Sequence, residues 1–234
     1  MDRVRGAKHS PDPPCFWGSV IVLGLDPSLT GYGWAIHDSS CFGSSRCLKR
    51  GHWKTRSDTV EVCRYMHQRD ALVHLLDQHP EIQKVALESP AFGASYSEGM
   101  YALFMFTHEA LWIKGMDFVL LGITQVKKHA LHALGRPDGW QMEKADMVEA
   151  AKKDTQSKGR WNHNEADAYL IGVLGGRFWD FRSGALDEDE LTEYERDLIV
   201  GQHTFSRGKR AGETEYKGLM FREGERFFLW SSHK

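Results

Sequence analysis

Apolar positions along the chain fall into two kinds of run. Short runs rich in β-branched or aromatic residues, bounded by glycine, proline or an acid, read as strands. They are residues 20–25 (VIVLGL), 31–36 (GYGWAI), 84–87 (KVAL) and 117–123 (DFVLLGI). Residues 46–54 (RCLKRGHWK) are polar enough to suit the edge of a sheet. Longer stretches with apolar residues three and four apart predict helices over 57–79, 95–114, 125–134, 142–156 and 165–179. Ser57 and Asp58 are placed to cap the first of these, and Asn164 to cap the last. Three strands, then helix, strand, helix, strand and further helices, is an α/β order that builds a mixed five-stranded sheet flanked by helices.

The same pattern divides the chain. Residues 1–17 read as a flexible leader, polar as far as position 14 and carrying Pro11, Pro13 and Pro14. Residues 18–182 hold the α/β unit. Residues 183–234 form a small helix–hairpin extension: an acid-led helix over 186–200, then strands around Phe221 and Phe227 separated by Arg222-Glu223-Gly224-Glu225. The exposed aromatics of that hairpin need a docking place on the main unit or on a second subunit.

Composition narrows the class. With 234 residues and 41% hydrophobic content, the chain can bury one sizeable core. A net charge of −2 means that any basic surface is local. Cys15, Cys41, Cys47 and Cys63 make no CxxC pair, so neither a zinc site nor a disulfide framework is expected, and a reducing cytoplasm fits. No run approaches the length of a membrane span, and Asp26 interrupts what would otherwise resemble a signal peptide.

Three acids stand where acids are costly. Asp26 ends the first apolar strand and Glu88 the fourth. Asp167 heads a helical stripe with Ile171, Leu174 and Phe178. Each has an ordinary reading, as a turn cap or a helix cap. Jointly they point to a site, because α/β sheets gather ligands beyond the carboxyl ends of their strands. Convergent carboxylates suit Mg²⁺, and two such ions about 4 Å apart can clamp an in-line phosphoryl displacement. The glycines at 31 and 33 are expected to let a phosphate or metal approach the backbone. A strand, an aspartate and a glycine-rich turn also occur as a phosphate loop in sugar-kinase and actin-like phosphotransferases, but no second such loop and no second large domain follows.

The ordered set of motifs resembles the RuvC-type Holliday junction resolvases of the RNase H-like superfamily. The matching segments are LGLDPSLTGYGWAI, VALESPAF, GITQVKKHALHALG, EKADMV and NEADAYLIG, covering residues 20 to 176 in the family's order. The resemblance implies an RNase H-like fold and an endonuclease that resolves four-way DNA junctions by paired cuts leaving 5′-phosphates. It implies a homodimer, with the helix over 95–114 as candidate face. By it, Asp26, Glu88 and Asp167 hold Mg²⁺ (or Mn²⁺), two ions per site, and Lys127 and Lys144 are the catalytic-site lysines; without it, both read as solvated helix surface. Phe92 lies near the family's aromatic wedge, with core packing as its alternative. Lys128 and the basic loop residues Arg207, Lys209 and Arg210 are candidate DNA contacts. One departure stands out: where the family commonly has a second acid or a histidine three residues before the last aspartate, this chain has Asn164, whose carbonyl can ligate Mg²⁺ without adding charge. His163 and Glu165 flank it as substitutes. Two alternatives stay open: a junction-binding protein that does not cut, and a nuclease with a wider branched-DNA or flap preference.

Overall fold

The computed structural model describes residues 20–40, 46–56, 58–90, 98–137, 139–199, 202–204, 214–216 and 219–229. The expected leader, Phe92 and the loop with Arg207, Lys209 and Arg210 lie outside the described residues.

Strands β1 (Ile21–Asp26), β2 (Gly31–Asp38) and β3 (Arg46–Lys54) form an antiparallel meander. After helix α1 (Glu61–Gln78), β4 (Lys84–Ser89) returns parallel to β1, and after α2 (Glu98–Ile113), β5 (Asp117–Gly122) lies parallel to β4. Helices α3 (Ile123–Leu134), α4 (Lys144–Asp154) and α5 (His163–Ser183) follow. Among the described residues, a short helix α6 (Glu193–Ile199) and strands β6 (Gln202–Thr204), β7 (Thr214–Tyr216), β8 (Met220–Glu223) and β9 (Arg226–Leu229) come last.

The five expected strands are present, and the C-terminal hairpin enlarges their sheet to seven, in the order β3-β2-β1-β4-β5-β8-β9. β8 pairs antiparallel with β5, setting Val119 opposite Phe221 and Phe118 opposite Arg222. Arg222 is buried there because its guanidinium donates to the Met116 carbonyl at 2.7 Å and lies 4.2 Å from the Trp112 ring. Of the hairpin's aromatics, Phe221 is buried on Phe178 and Trp179 of α5, while Phe227 touches Phe118 of β5 and stays half exposed.

Two apolar layers sandwich the sheet. Leu23, Leu25, Val85 and Leu87 face α1 and α2, while Val22, Ala86, Val119 and Leu121 face α3, α4 and α5. Along each strand the sides alternate, as pleating requires. Tyr32 donates through its hydroxyl to Thr107 at 3.2 Å, tying β2 to α2 beneath the strand ends.

Some boundaries shift for physical reasons. Helix α1 starts at Glu61, with Val60 at its cap and no side-chain cap; Asp58 instead pairs with Arg56 at 2.7 Å. The cap of α5 is Asn162, whose Oδ1 accepts from the Asn164 backbone at 3.0 Å, so Asn164 is already helical. No helix among the described residues is long and apolar enough to cross a membrane.

Candidate active site

The site is set by strand alternation and by glycine. Val22 and Gly24 face α5, so Asp26, two residues on, faces it too; Ala86 and Glu88 repeat the relation on β4. Because Leu25 pairs in register with Leu87, Asp26 and Glu88 emerge at the same level on neighbouring parallel strands.

Helix α5 then carries Asp167 toward them. It packs almost backbone to backbone with the sheet: a Cβ on Gly24 would stand 2.0 Å from the Ala168 carbonyl oxygen, and one on Gly33 only 2.1 Å from the Asn164 carbonyl oxygen. A Cβ on Gly31 would meet the Asn164 amide nitrogen at 2.3 Å. Gly31 and Gly33 were expected to admit a phosphate or metal; the start of α5 takes that space instead. Only glycine lets the helix sit this low, and the low seat carries Asp167 to the strand ends.

The three carboxyls sense one another. Asp26 is only 8% exposed, and burial, followed by the Glu88 carboxyl that hydrogen-bonds to it, pushes its carboxyl well above the usual carboxylate range, with Lys144 opposing. Burial also raises Glu88; the Asp26 hydrogen bond opposes this, Asp167 adds to it, and Lys127 pulls it down. Burial and then Asp26 push Asp167 up to about 7, against Lys127 and Lys144. Of the two, Asp26 is the more strongly raised, since the Glu88 carboxyl adds to the effect of burial there while Asp26 opposes it at Glu88.

The charges of both expected lysines thus act on the acids, Lys127 on Glu88 and Asp167 and Lys144 on Asp26 and Asp167. Each is exposed on its own helix, Lys127 in α3 and Lys144 at the first position of α4. Lys128 turns elsewhere, its ammonium 5.5 Å from the Tyr194 ring. Glu165 does not stand in for an acid at position 164: it is held by Arg50 at 3.3 Å and His52 at 3.0 Å, pinning α5 to β3. Arg50 also stacks on Trp161 at 3.8 Å, a bracing contact that the polar look of β3 concealed. His163 lies near Lys144 and His52, and burial, followed by the influence of Lys144 and His52, lowers its basicity.

The donor set suits a hard divalent cation. It offers three carboxylates plus the Asn164 amide, and the buried Asp167 Oδ1 has no hydrogen-bond partner. Among the described residues no three acidic, histidine or cysteine side chains stand close enough together to form a ready-made cage. Instead Asp26 and Glu88 satisfy each other. The chemistry of the residues fits the ion, and drawing them around it means exchanging that internal hydrogen bond for metal–oxygen contacts.

No family model matches the sequence, and no curated protein matches it. Solved structures do match. Thermus thermophilus RuvC superposes with a TM-score of 0.56 at 19% identity, over 70% of this chain and 97% of that one. The T. thermophilus RuvC solved in complex with a Holliday junction substrate gives 0.56 at 17% identity, over 70% and 96%. The yeast mitochondrial Holliday junction resolvase Ydc2 gives 0.48 at 12% identity, over 72% and 80%. At these identities the likeness is one of architecture, and by its architecture this chain has the RNase H-like fold of RuvC.

Proposed function

We propose that this protein is a divalent-metal-dependent endonuclease that cuts branched DNA, four-way junctions foremost, by paired phosphodiester hydrolysis leaving 5′-phosphate ends. The observation that carries the reading is that the carboxyls of Asp26, Glu88 and Asp167, from two strand ends and one helix, are each raised in part by another of the three, with Lys127 and Lys144 opposing. A fold alone does not fix a function; one buried and two half-buried acids that influence one another, with two lysines opposing, support a site with a use.

Asp26, Glu88 and Asp167 would hold Mg²⁺ or Mn²⁺, the Asn164 carbonyl adding a neutral ligand. When bound, such ions activate the attacking water and stabilise the leaving oxygen. The lysines favour the ionised acids and offset charge on the scissile phosphate. Tyr101, Met105 and Trp112 lie exposed along one face of α2, which supports that helix as the face of a homodimer.

The test is cleavage of an end-labelled four-way junction beside matched duplex, flap and RNA–DNA hybrid, with Mg²⁺ and with EDTA. Symmetric nicks in the junction alone, lost with EDTA, are the expected result. Equal cutting of flaps moves the assignment to a broader branched-DNA nuclease. Asn164 favours one second reading, a junction-binding protein that does not cut; tight binding with no nicks under Mg²⁺ or Mn²⁺ would establish it.

A further inference from the structure

Helix α6 follows the last sequence motif of the site, yet two of its neighbouring side chains reach two different site-bearing helices. Tyr194, 6% exposed, donates through its hydroxyl to the Gln125 carbonyl oxygen at 3.0 Å. Its ring stacks on His132 at 4.2 Å and 21°, lies 6.1 Å from His129 and has the Lys128 ammonium at 5.5 Å. Residues 125, 128, 129 and 132 form a single stripe of α3, so one tyrosine braces that helix along two turns.

Glu195 faces the other way. It takes a two-pronged contact from Arg177 of α5, at 2.9 and 3.1 Å, and is held by the Thr192 backbone N–H at 3.0 Å and hydroxyl at 3.1 Å. Arg177 also donates to the Glu190 carbonyl at 3.0 Å. Such a fork, largely screened from water, fixes orientation as well as distance.

We propose that α6 is a clasp that locks α3 to α5 and thereby positions Lys127 against Glu88 and Asp167. Lys127 leaves α3 two residues beyond the carbonyl that Tyr194 holds, on the opposite side of the helix from the stripe. Asp167 rides on the helix that Glu195 holds. Tyr194 touches neither substrate nor acids; it is a positioning residue. The inference rests on the nuclease reading for its consequence and on the contacts alone for the clasp.

Tyr194→Phe keeps the ring and removes only the hydroxyl. Expected is single-turnover junction cleavage slowed about tenfold at saturating junction, with the junction Kd unchanged, since small misplacement of a reacting group costs rate before binding. In a Lys127→Ala background the same substitution should slow cleavage no further; equal slowing in both backgrounds overturns the proposal. Tyr194→Leu, followed by amide hydrogen exchange, reads the clasp without cleavage. Faster exchange confined to α3 and α6 supports it; a uniform rise across the protein, or unchanged α3, overturns it. Should the wild type cut no branched DNA, the nuclease reading fails while the exchange experiment still decides the clasp.

Discussion

Asp26 and Glu88 emerge level from neighbouring parallel strands, on the same face of the sheet, and their carboxyls share a hydrogen bond. Two acids placed so in a buried site cannot both ionise without a cation. At neutral pH the pair is thus a destabilising element, which Lys127 and Lys144 offset in part and which protonation or a bound cation relieves.

Asp26→Asn should separate these roles. Asp26 is raised in the folded state, so its contribution to stability is full below the unfolded carboxylate value near 4 and is lost as pH rises through the raised value. At pH 8 in EDTA the asparagine should therefore be more stable than wild type by about 1 kcal/mol, as substitutions at strained functional sites often are. Cleavage should fall by at least about a hundredfold. Urea denaturation in EDTA and the junction assay check the two halves, and a variant that is both less stable and active would contradict them.

The glycine seat makes a contrast between neighbours. A Cβ on Gly24 would sit 2.0 Å from the Ala168 carbonyl oxygen, backbone that cannot swing aside. Gly24→Ala should cost about 3 kcal/mol, by lifting α5 and Asp167 from the sheet. Gly172, its opposite number on the helix, has nothing nearer than 3.4 Å, and Gly172→Ala gains helix propensity of about 1 kcal/mol. Denaturant midpoints for the pair should move in opposite directions.

The apolar run VIVLGL ending in Asp26, repeated as VAL before Glu88, was enough to put both acids on strand ends, because a short β-branched run bounded by an acid reads as a buried strand. The role of the glycines was not legible. A Gly-rich turn after an acid reads the same whether it admits a ligand or a helix, and only the distant Asn164 and Ala168 decide. The pairing of β8 with β5 joins residues about a hundred positions apart, and neither strand encodes its partner. Tyr194 likewise lies in an acid-led run that looks like solvated helix, yet its neighbours on α3 bury it.

His108 gives a pH signature away from the site. It lies among Phe104, Phe118 and Phe227, and burial, followed by the Arg222 charge, lowers it to about 4. Between that value and 6.5 the unfolded chain binds the proton and the folded chain does not, so this group makes stability rise with pH across the window and level off above it. From pH 7 to pH 5 wild type should lose on the order of 2 kcal/mol more than His108→Phe. Parallel stability profiles for the two proteins would show that the ring does not titrate as its surroundings dictate.

Asn164 is the position where charge and geometry meet. Its amide lies against Gly31, and its carbonyl oxygen in the backbone lies over Gly33, so the side chain is held at the rim of the acidic cluster by the same close packing that seats Asp167. Aspartate is nearly the same size and should keep that seat. It adds a formal negative charge beside three acids, which costs metal-free stability but favours a divalent ion. Asn164→Asp should therefore lower the Mg²⁺ concentration for half-maximal junction cleavage by about tenfold, while reducing the denaturation midpoint in EDTA. The opposite signs of the two effects identify a ligand position, since a substitution that only disturbed packing would weaken both. An unchanged Mg²⁺ titration with a lowered midpoint would assign Asn164 to the packing of α5 alone.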